Sequence, residues 1–285
     1  MLNLFVCPSE LDHPWRKMPW GEKDKIERKL RTFRLKGTSA RFIRILVVGE
    51  VGAGKSSFIN SVNNVFQGRI TSGALVDMTG STSFTKNYKT HYIKAEDGSN
   101  LPFVFNDIMG LEDRESGASA QDIIRAIDGL LEEGHNFDAH VRDVNYRSNP
   151  SVEEQTTCLV NIVAADKISM MKDGVIDKLK KIRQAATELN MPQVIIMTRP
   201  DLACPLVQQD LRKIYTSKKI KEKIEVCSNA VGIPKNHIFP VKNYHEEIDT
   251  DDDMDLLILK ALDQIVHIAA DWLEEKSSKC GEQTE

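Results

Sequence analysis

The chain has 285 residues, 38 of them Lys or Arg and 42 Asp or Glu, and 41% are hydrophobic. A formal charge of −4, with no basic stripe interleaved with aromatics, argues against nucleic acid as a partner. No apolar run of roughly 18 residues is present to span a membrane, and the length is enough to bury a substantial core without covalent staples.

The five cysteines, Cys7, Cys158, Cys204, Cys227 and Cys280, are scattered and never form a C-x-x-C pair. A disulfide framework or zinc site is not expected, and the pattern suits a reducing compartment, most simply the cytoplasm. The apolar start Met1 to Cys7 is too short for a signal peptide and lacks a basic flank. His135 and His140 are close in sequence and the other histidines are dispersed, so no metal-ligand spacing emerges.

Taken in chain order, residues 1–19 read as an irregular leader with prolines at 8, 14 and 19, and Trp15 and Trp20 are placed to pin it to a surface. Residues 22–35 carry Ile26, Leu30 and Phe33 at helical spacing. Phe42 to Val48 is apolar at nearly every position, as in a strand covered on both faces. A glycine-rich turn follows, then a helix from Lys55 to Phe66. Residues 67–83 are rich in Gly, Ser and Thr and read as a loop. Residues 83–94 alternate like an exposed strand and 102–106 form a buried one, with Asp97-Gly98 in the turn between them.

A helix is expected over 116–131, ending at Gly134, followed by an irregular stretch over 134–156 that is long for a connection. Strands follow at 158–164, 193–198 and 238–241, with helices at 172–190, 205–228 and 251–275. The last helix opens on Asp251, Asp252, Asp253 and Asp255, which suit a helix N-terminus. Alternating buried strands and helices predict an α/β fold with a mostly parallel sheet and helices on both faces, whose ligands sit at the carboxyl ends of strands. The expected organisation is a leader and amphipathic helix over 1–38, one domain over 39–276 with its insertion near 134–156, and a flexible tail over 277–285.

Gly49-Glu50-Val51-Gly52-Ala53-Gly54-Lys55-Ser56 fits the P-loop pattern G-x-x-x-x-G-K-[ST]. Average residue frequencies give this pattern in roughly 1% of chains this long, and its place between a buried strand and a helix makes chance less plausible still. Glycines let backbone N–H groups converge on phosphate oxygens, and the helix start adds its positive dipole end. The expected nucleotide contacts here are Gly49, Gly52, Ala53, Gly54, Lys55, Ser56 and Ser57. Lys55 reaches the terminal phosphates and the Ser56 hydroxyl binds Mg²⁺.

Asp107-Ile108-Met109-Gly110 is a D-x-x-G at a strand end, weak alone but informative after a P-loop. There Asp107 holds Mg²⁺ through water and the Gly110 N–H senses the γ-phosphate. Thr198-Arg199-Pro200-Asp201 matches the guanine-reading motif [NT]-K-x-D, except that Arg199 replaces the lysine. An arginine stem can still lie across a base, and the Asp201 carboxylate would accept hydrogen bonds that guanine offers and adenine does not. Lys242 and Asn243 follow the last strand, where a loop meets the base. One threonine of the loop before the second strand, Thr79, Thr82 or Thr85, is expected on Mg²⁺, with Thr82 taken as the candidate.

These motifs make a P-loop NTPase of the Ras-like GTPase kind the expected fold, with GTP or GDP and Mg²⁺ as ligands and loops 67–85 and 108–120 as the parts that reorder. Ras-like enzymes orient the attacking water with a glutamine just after D-x-x-G. Leu111 stands there and cannot do so; Glu112, Asp113 or Arg114 are left as substitutes, and hydrolysis stays open. Three readings remain: a guanine-nucleotide switch with slow hydrolysis, a non-catalytic interaction protein whose nucleotide is structural, and an ATP-using P-loop protein.

The chain resembles the interferon-induced protein 44 family in a short, fish-type form. The resemblance is carried by Pro14 to Trp20, Arg44 to Ser61, Asn106 to Leu111 and Phe239 to Glu247, and runs from about Trp15 to Trp272. The tryptophan leader and the Val241-Lys242-Asn243-Tyr244-His245-Glu246-Glu247 segment are its specific parts. It implies a cytoplasmic GTP-binding protein of the innate antiviral response with protein partners. A homodimer across the nucleotide face is left open. Longer relatives in the family carry a further N-terminal domain.

Overall fold

A computed structural model describes residues 9–71, 86–113, 117–137 and 146–281. Its elements are α1 (Lys23–Arg31), β1 (Ile43–Gly49), α2 (Lys55–Gln67), β2 (Lys89–Lys94), β3 (Asn100–Asp107), α3 (Ala120–Ile127), β4 (Cys158–Ala164), α4 (Asp173–Glu188), β5 (Gln193–Thr198), α5 (Pro200–Ala203), α6 (Pro205–Gln209), α7 (Lys218–Val231), β6 (Ile238–Val241) and α8 (Asp252–Gly281). The six strands form one sheet in the order β2-β3-β1-β4-β5-β6. Only the β2–β3 pair is antiparallel; the other pairs are parallel.

Alternation along the strands splits the core in two. Ile43, Ile45 and Val47 of β1 and Cys158, Val160 and Ile162 of β4 face α1, α2 and α8. Leu46, Val48, Leu159 and Val163 face α3, α4 and α7. Both faces are covered, which is why the parallel strands read as continuous apolar runs rather than alternating ones. This is the three-layer α/β architecture of P-loop GTPases. The parallel strands end together at Gly49, Asp107, Ala164, Thr198 and Val241, so every motif picked from the sequence arrives at one edge of the sheet.

The leader is tied to the domain at the β6 edge of the sheet. Trp15 meets Tyr215 edge to face at 4.9 Å, a geometry worth about 0.5–1.5 kcal/mol beyond area burial. Arg16 lies over the Trp15, Tyr215 and Phe239 rings and donates to the carbonyls of Ile238 and Lys235. Among the described residues no helix is long and apolar enough to cross a membrane.

Three local expectations are corrected. The helix expected over 205–228 is in pieces: α6, a 3-10 turn at Leu211–Tyr215, and α7. Asp210 is extended and its carboxylate accepts from the Arg212 N–H, while Ser217 caps α7 by accepting from Ile220 N. Short polar side chains that bond nearby backbone compete with helix continuation. The helix expected over 116–131 is α3 alone, capped by Ser119; beyond it Gly129 takes φ +79°, and a Cβ there would lie 2.8 Å from the Glu154 backbone. The strand expected from 83 begins at Lys89, with 83–85 outside the described residues.

Candidate functional site

β1 passes β4 so closely that a Cβ on Gly49 would stand 2.3 Å from the Ile162 carbonyl oxygen. Gly52 and Gly54 take φ +72° and +95°, values that favour glycine. Together they curl the chain from Glu50 back to α2, and the Ala53 N–H closes the curl on the Glu50 carbonyl at 3.1 Å. Gly54 caps α2 without a side chain, so the helix N-terminus is presented inside the loop as an anion-binding end. The Lys55 ammonium folds over the loop toward the carbonyls of Gly49 and Glu50, at 3.3 and 3.2 Å, and the residue is buried. Ser57 sits in the same first turn, its carbonyl accepting from the Ser61 hydroxyl.

Two of the three expected Mg²⁺ ligands meet. The Ser56 hydroxyl donates to Asp107 Oδ2 at 2.9 Å, and Asp107 Oδ1 accepts from Ile108 N at 3.0 Å. Two hard oxygens beside a phosphate cradle are a donor set that suits Mg²⁺, which takes one or two protein oxygens and fills the rest from phosphates and water. No group of three or more His, Cys, Asp or Glu that could hold a metal by itself occurs among the described residues. Thr79, Thr82, Thr85 and Arg114 lie outside the described residues.

Gly110 is pressed against the P-loop: a Cβ on it would be 2.6 Å from Val51 Cγ2 and 3.0 Å from Lys55 Nζ. The next residue is fastened to the same loop. Leu111 N donates to the Gly49 carbonyl at 2.9 Å, and Val51 N donates to the Leu111 carbonyl at 3.1 Å. The Leu111 side chain is fully buried. The position after D-x-x-G is thus a core residue and a backbone clasp, which the motif alone did not disclose.

After β5 and β6, three side chains converge on three successive P-loop carbonyls. Arg199 Nη2 donates to Gly52 O at 2.7 Å, Thr198 Oγ1 to Ala53 O at 2.7 Å, and Asn243 Nδ2 to Gly54 O at 3.2 Å. Arg199 takes φ +56° to do so, a left-handed backbone that a non-glycine residue adopts only when its surroundings hold it there. Asp201, half-buried, lies in the first turn of α5. Lys242 does not join the convergence: its ammonium pairs with Glu247 at 2.7 Å. Burial works to raise the Glu247 carboxyl, but Lys242 and the N–H groups of His245 and of Glu247 itself outweigh it and bring it to about 2.

Sequence reasoning passed over Tyr244 and Ser61. Tyr244 N donates to Ser61 Oγ in α2 at 3.0 Å, and the Tyr244 hydroxyl donates to Asp255 Oδ1 in α8 at 2.6 Å. Asp255 also receives Lys23 of α1 at 3.3 Å. Burial raises both the Tyr244 and the Asp255 groups. The signal was present as a tyrosine beside the acidic run, but nothing in the spacing says that the two segments meet.

No family model matches the chain. Over 96% of its length it is 31% identical to human interferon-induced protein 44, and over 89% it is 28% identical to human interferon-induced protein 44-like. It spans 62% and 57% of the lengths of those relatives. Among solved structures it is similar in fold to the chloroplast translocon components atToc33 and psToc159, for which dimerization is described as important for GTPase activity. That likeness has a TM-score of 0.50 and 15% identity over 87% of this chain and 89% of the other.

Proposed function

Because the chain belongs to the interferon-induced protein 44 family, with the similarity spread over nearly its whole length, we propose that it is a guanine-nucleotide-binding protein of the interferon response that holds GTP or GDP with Mg²⁺. The observation that carries the reading is the convergence of Arg199, Thr198 and Asn243 on the carbonyls of Gly52, Ala53 and Gly54. The loops that would read a base and the loop that would hold phosphates are built as one piece.

In this reading the P-loop N–H groups and Lys55 take the phosphates. Ser56 and Asp107 would hold Mg²⁺, which would supply charge neutralisation to the phosphates. Gly110 faces the γ-phosphate. Asp201 accepts the guanine N1 and N2 hydrogens, and the Arg199 stem lies along the base. Asn243 Oδ1 is buried without a hydrogen-bond partner among the described residues, so the loop after β6 retains an unspent acceptor on the same side as Asp201.

Hydrolysis is slow in this account. Leu111 has no group to orient water and is held in the core by both of its backbone bonds to the P-loop. The same residue favours a second reading, a non-catalytic interaction protein whose nucleotide is structural. Protein partners, a homodimer across the nucleotide face and a cytoplasmic location belong to the proposal. Titration calorimetry with GTP, GDP and ATP, followed by phosphate-release assays, tests it. Guanine-selective binding with slow release supports the switch; tight GTP binding with no release above a Lys55→Ala control supports the structural-nucleotide reading.

A further inference from the structure

A cavity of about 500 Å³ lies on the α3 side of the sheet, between the first residues of β1, the edge strand β2 and the 147–154 segment. Small-molecule sites typically enclose roughly 300–1,000 Å³. The cavity is separate from the phosphate cradle, because alternate residues of a strand face opposite ways. Asp107 turns toward Ser56 of α2. Asn106 turns toward the cavity, where its Oδ1 accepts from Arg44 at 3.0 Å and its Nδ2 donates to Thr90 Oγ1 at 2.8 Å. Tyr88, just before β2, is buried in the wall. Tyr92 leaves 46% of its surface open, its ring held edge to face against Phe42 at 5.6 Å.

Most of the charges that line the cavity cancel one another. Arg41 holds Glu153 at 3.0 Å and Arg147 holds Glu154 at 2.9 Å. Arg44, half-buried, donates only to neutral acceptors, the Glu153 carbonyl at 2.8 Å and Asn106 Oδ1. Glu133, at the exposed mouth, accepts the Thr90 N–H on both oxygens at 3.0 Å. Among the described residues neither Arg44 nor Glu133 is in an ion pair. Both act on the Tyr88 hydroxyl: burial raises it to about 12, Arg44 and Arg147 oppose that rise, and Glu133 adds to it. One cation and one anion therefore flank the same phenol. A guanidinium drawn out of water without a counter-charge is costly, and a carboxylate is the group its planar donors fit. The acid at the mouth suits an ammonium.

We propose that this cavity binds a small zwitterion of the amino-acid class, an amino acid or a dipeptide, with its carboxylate on Arg44 and the Tyr88 hydroxyl and its ammonium on Glu133. The open Tyr92 ring lies beside the ligand's side chain. The site is independent of the nucleotide reading and lies on the other face of the sheet from Ser56 and Asp107.

The test uses the full chain. Thermal shift with the standard amino acids and their dipeptides with glycine selects the probe. Calorimetry then measures that probe, its N-acetyl form, which lacks the ammonium, and its C-terminal amide, which lacks the carboxylate. Each blocked form is expected to bind at least about tenfold more weakly than the zwitterion, as for a lost hydrogen bond to a charged group. Glu133→Gln keeps an acceptor for the Thr90 N–H and removes the charge. It is expected to weaken the zwitterion by a similar factor and to bind the N-acetyl form equally well. Saturating GDP and Mg²⁺ are expected to leave the probe's affinity unchanged. Binding of free amino acids alone, or of dipeptides alone, supports the site and identifies which of the two it takes. No binding by any amino acid or dipeptide, equal affinity of wild type for the zwitterion and its N-acetyl form, or displacement of the probe by GDP overturns the proposal.

Discussion

Arg199 Nη2 donates to the Gly52 carbonyl at 2.7 Å, so the residue that departs from the guanine-reading motif joins Thr198 in tying that motif to the P-loop. A lysine ammonium at the same position could make the same bond as a point charge, without the planar head that stacks on a base.

Arg199→Lys is therefore expected to keep GTP affinity within about threefold, whereas Arg199→Ala is expected to lose roughly tenfold or more, in line with about 1.5–3 kcal/mol for a hydrogen bond to a charged group. Calorimetry on the two variants checks this. Equal losses in both would mean that the bond to Gly52 contributes nothing to binding.

Tyr244→Phe removes the hydroxyl that bonds Asp255 at 2.6 Å and accepts the Asp251 N–H at 2.7 Å. Asp255 is then left buried with Lys23 alone. The expected destabilisation is about 1–3 kcal/mol by denaturant unfolding, with the midpoint shifted and the slope unchanged. An unchanged midpoint would show that the link from α2 through Tyr244 to α8 carries no stability.

Glu247 gives a pH dependence of known sign. Its carboxyl is lowered from an ordinary 4.5 to about 2 in the folded chain. The unfolded chain thus takes up the proton first as pH falls. The contribution is fully present above about 4.5 and is lost between there and about 2. Glu247→Gln is expected to cost stability at neutral pH and to flatten the decline in that window. Parallel stability curves for wild type and variant across it would remove Glu247 and its Lys242 partner from the account.

Much of this was legible before the fold was known, because the informative signals were local. The P-loop glycines, the buried strands and the strand-end positions of Asp107 and Thr198 each follow from a few adjacent residues. What escaped depends on contacts across the sheet. Leu111 reads as a missing catalytic residue and is found clasped to Gly49 and Val51. Lys242 reads as a base contact and is found paired with Glu247. Asp113 reads as a substitute for the missing water-orienting glutamine and is found against Gly174 at the start of α4, a contact that no helical periodicity reveals. The 205–228 segment differs from its helical expectation for another reason: Asp210 and Ser217 are compatible with helical spacing, and only their bonds to nearby backbone break it.

The central claim is that Gly49 to Ser56 holds a guanine nucleotide selected by Asp201. Competition calorimetry with GDP and ADP in the presence of Mg²⁺, on wild type, Lys55→Ala and Asp201→Ala, tests it most directly. The expected result is GDP binding in wild type at least about a hundredfold tighter than ADP, loss of binding in Lys55→Ala, and loss of the preference for guanine in Asp201→Ala. Equal affinity of wild type for GDP and ADP, or undiminished binding in Lys55→Ala, would contradict it.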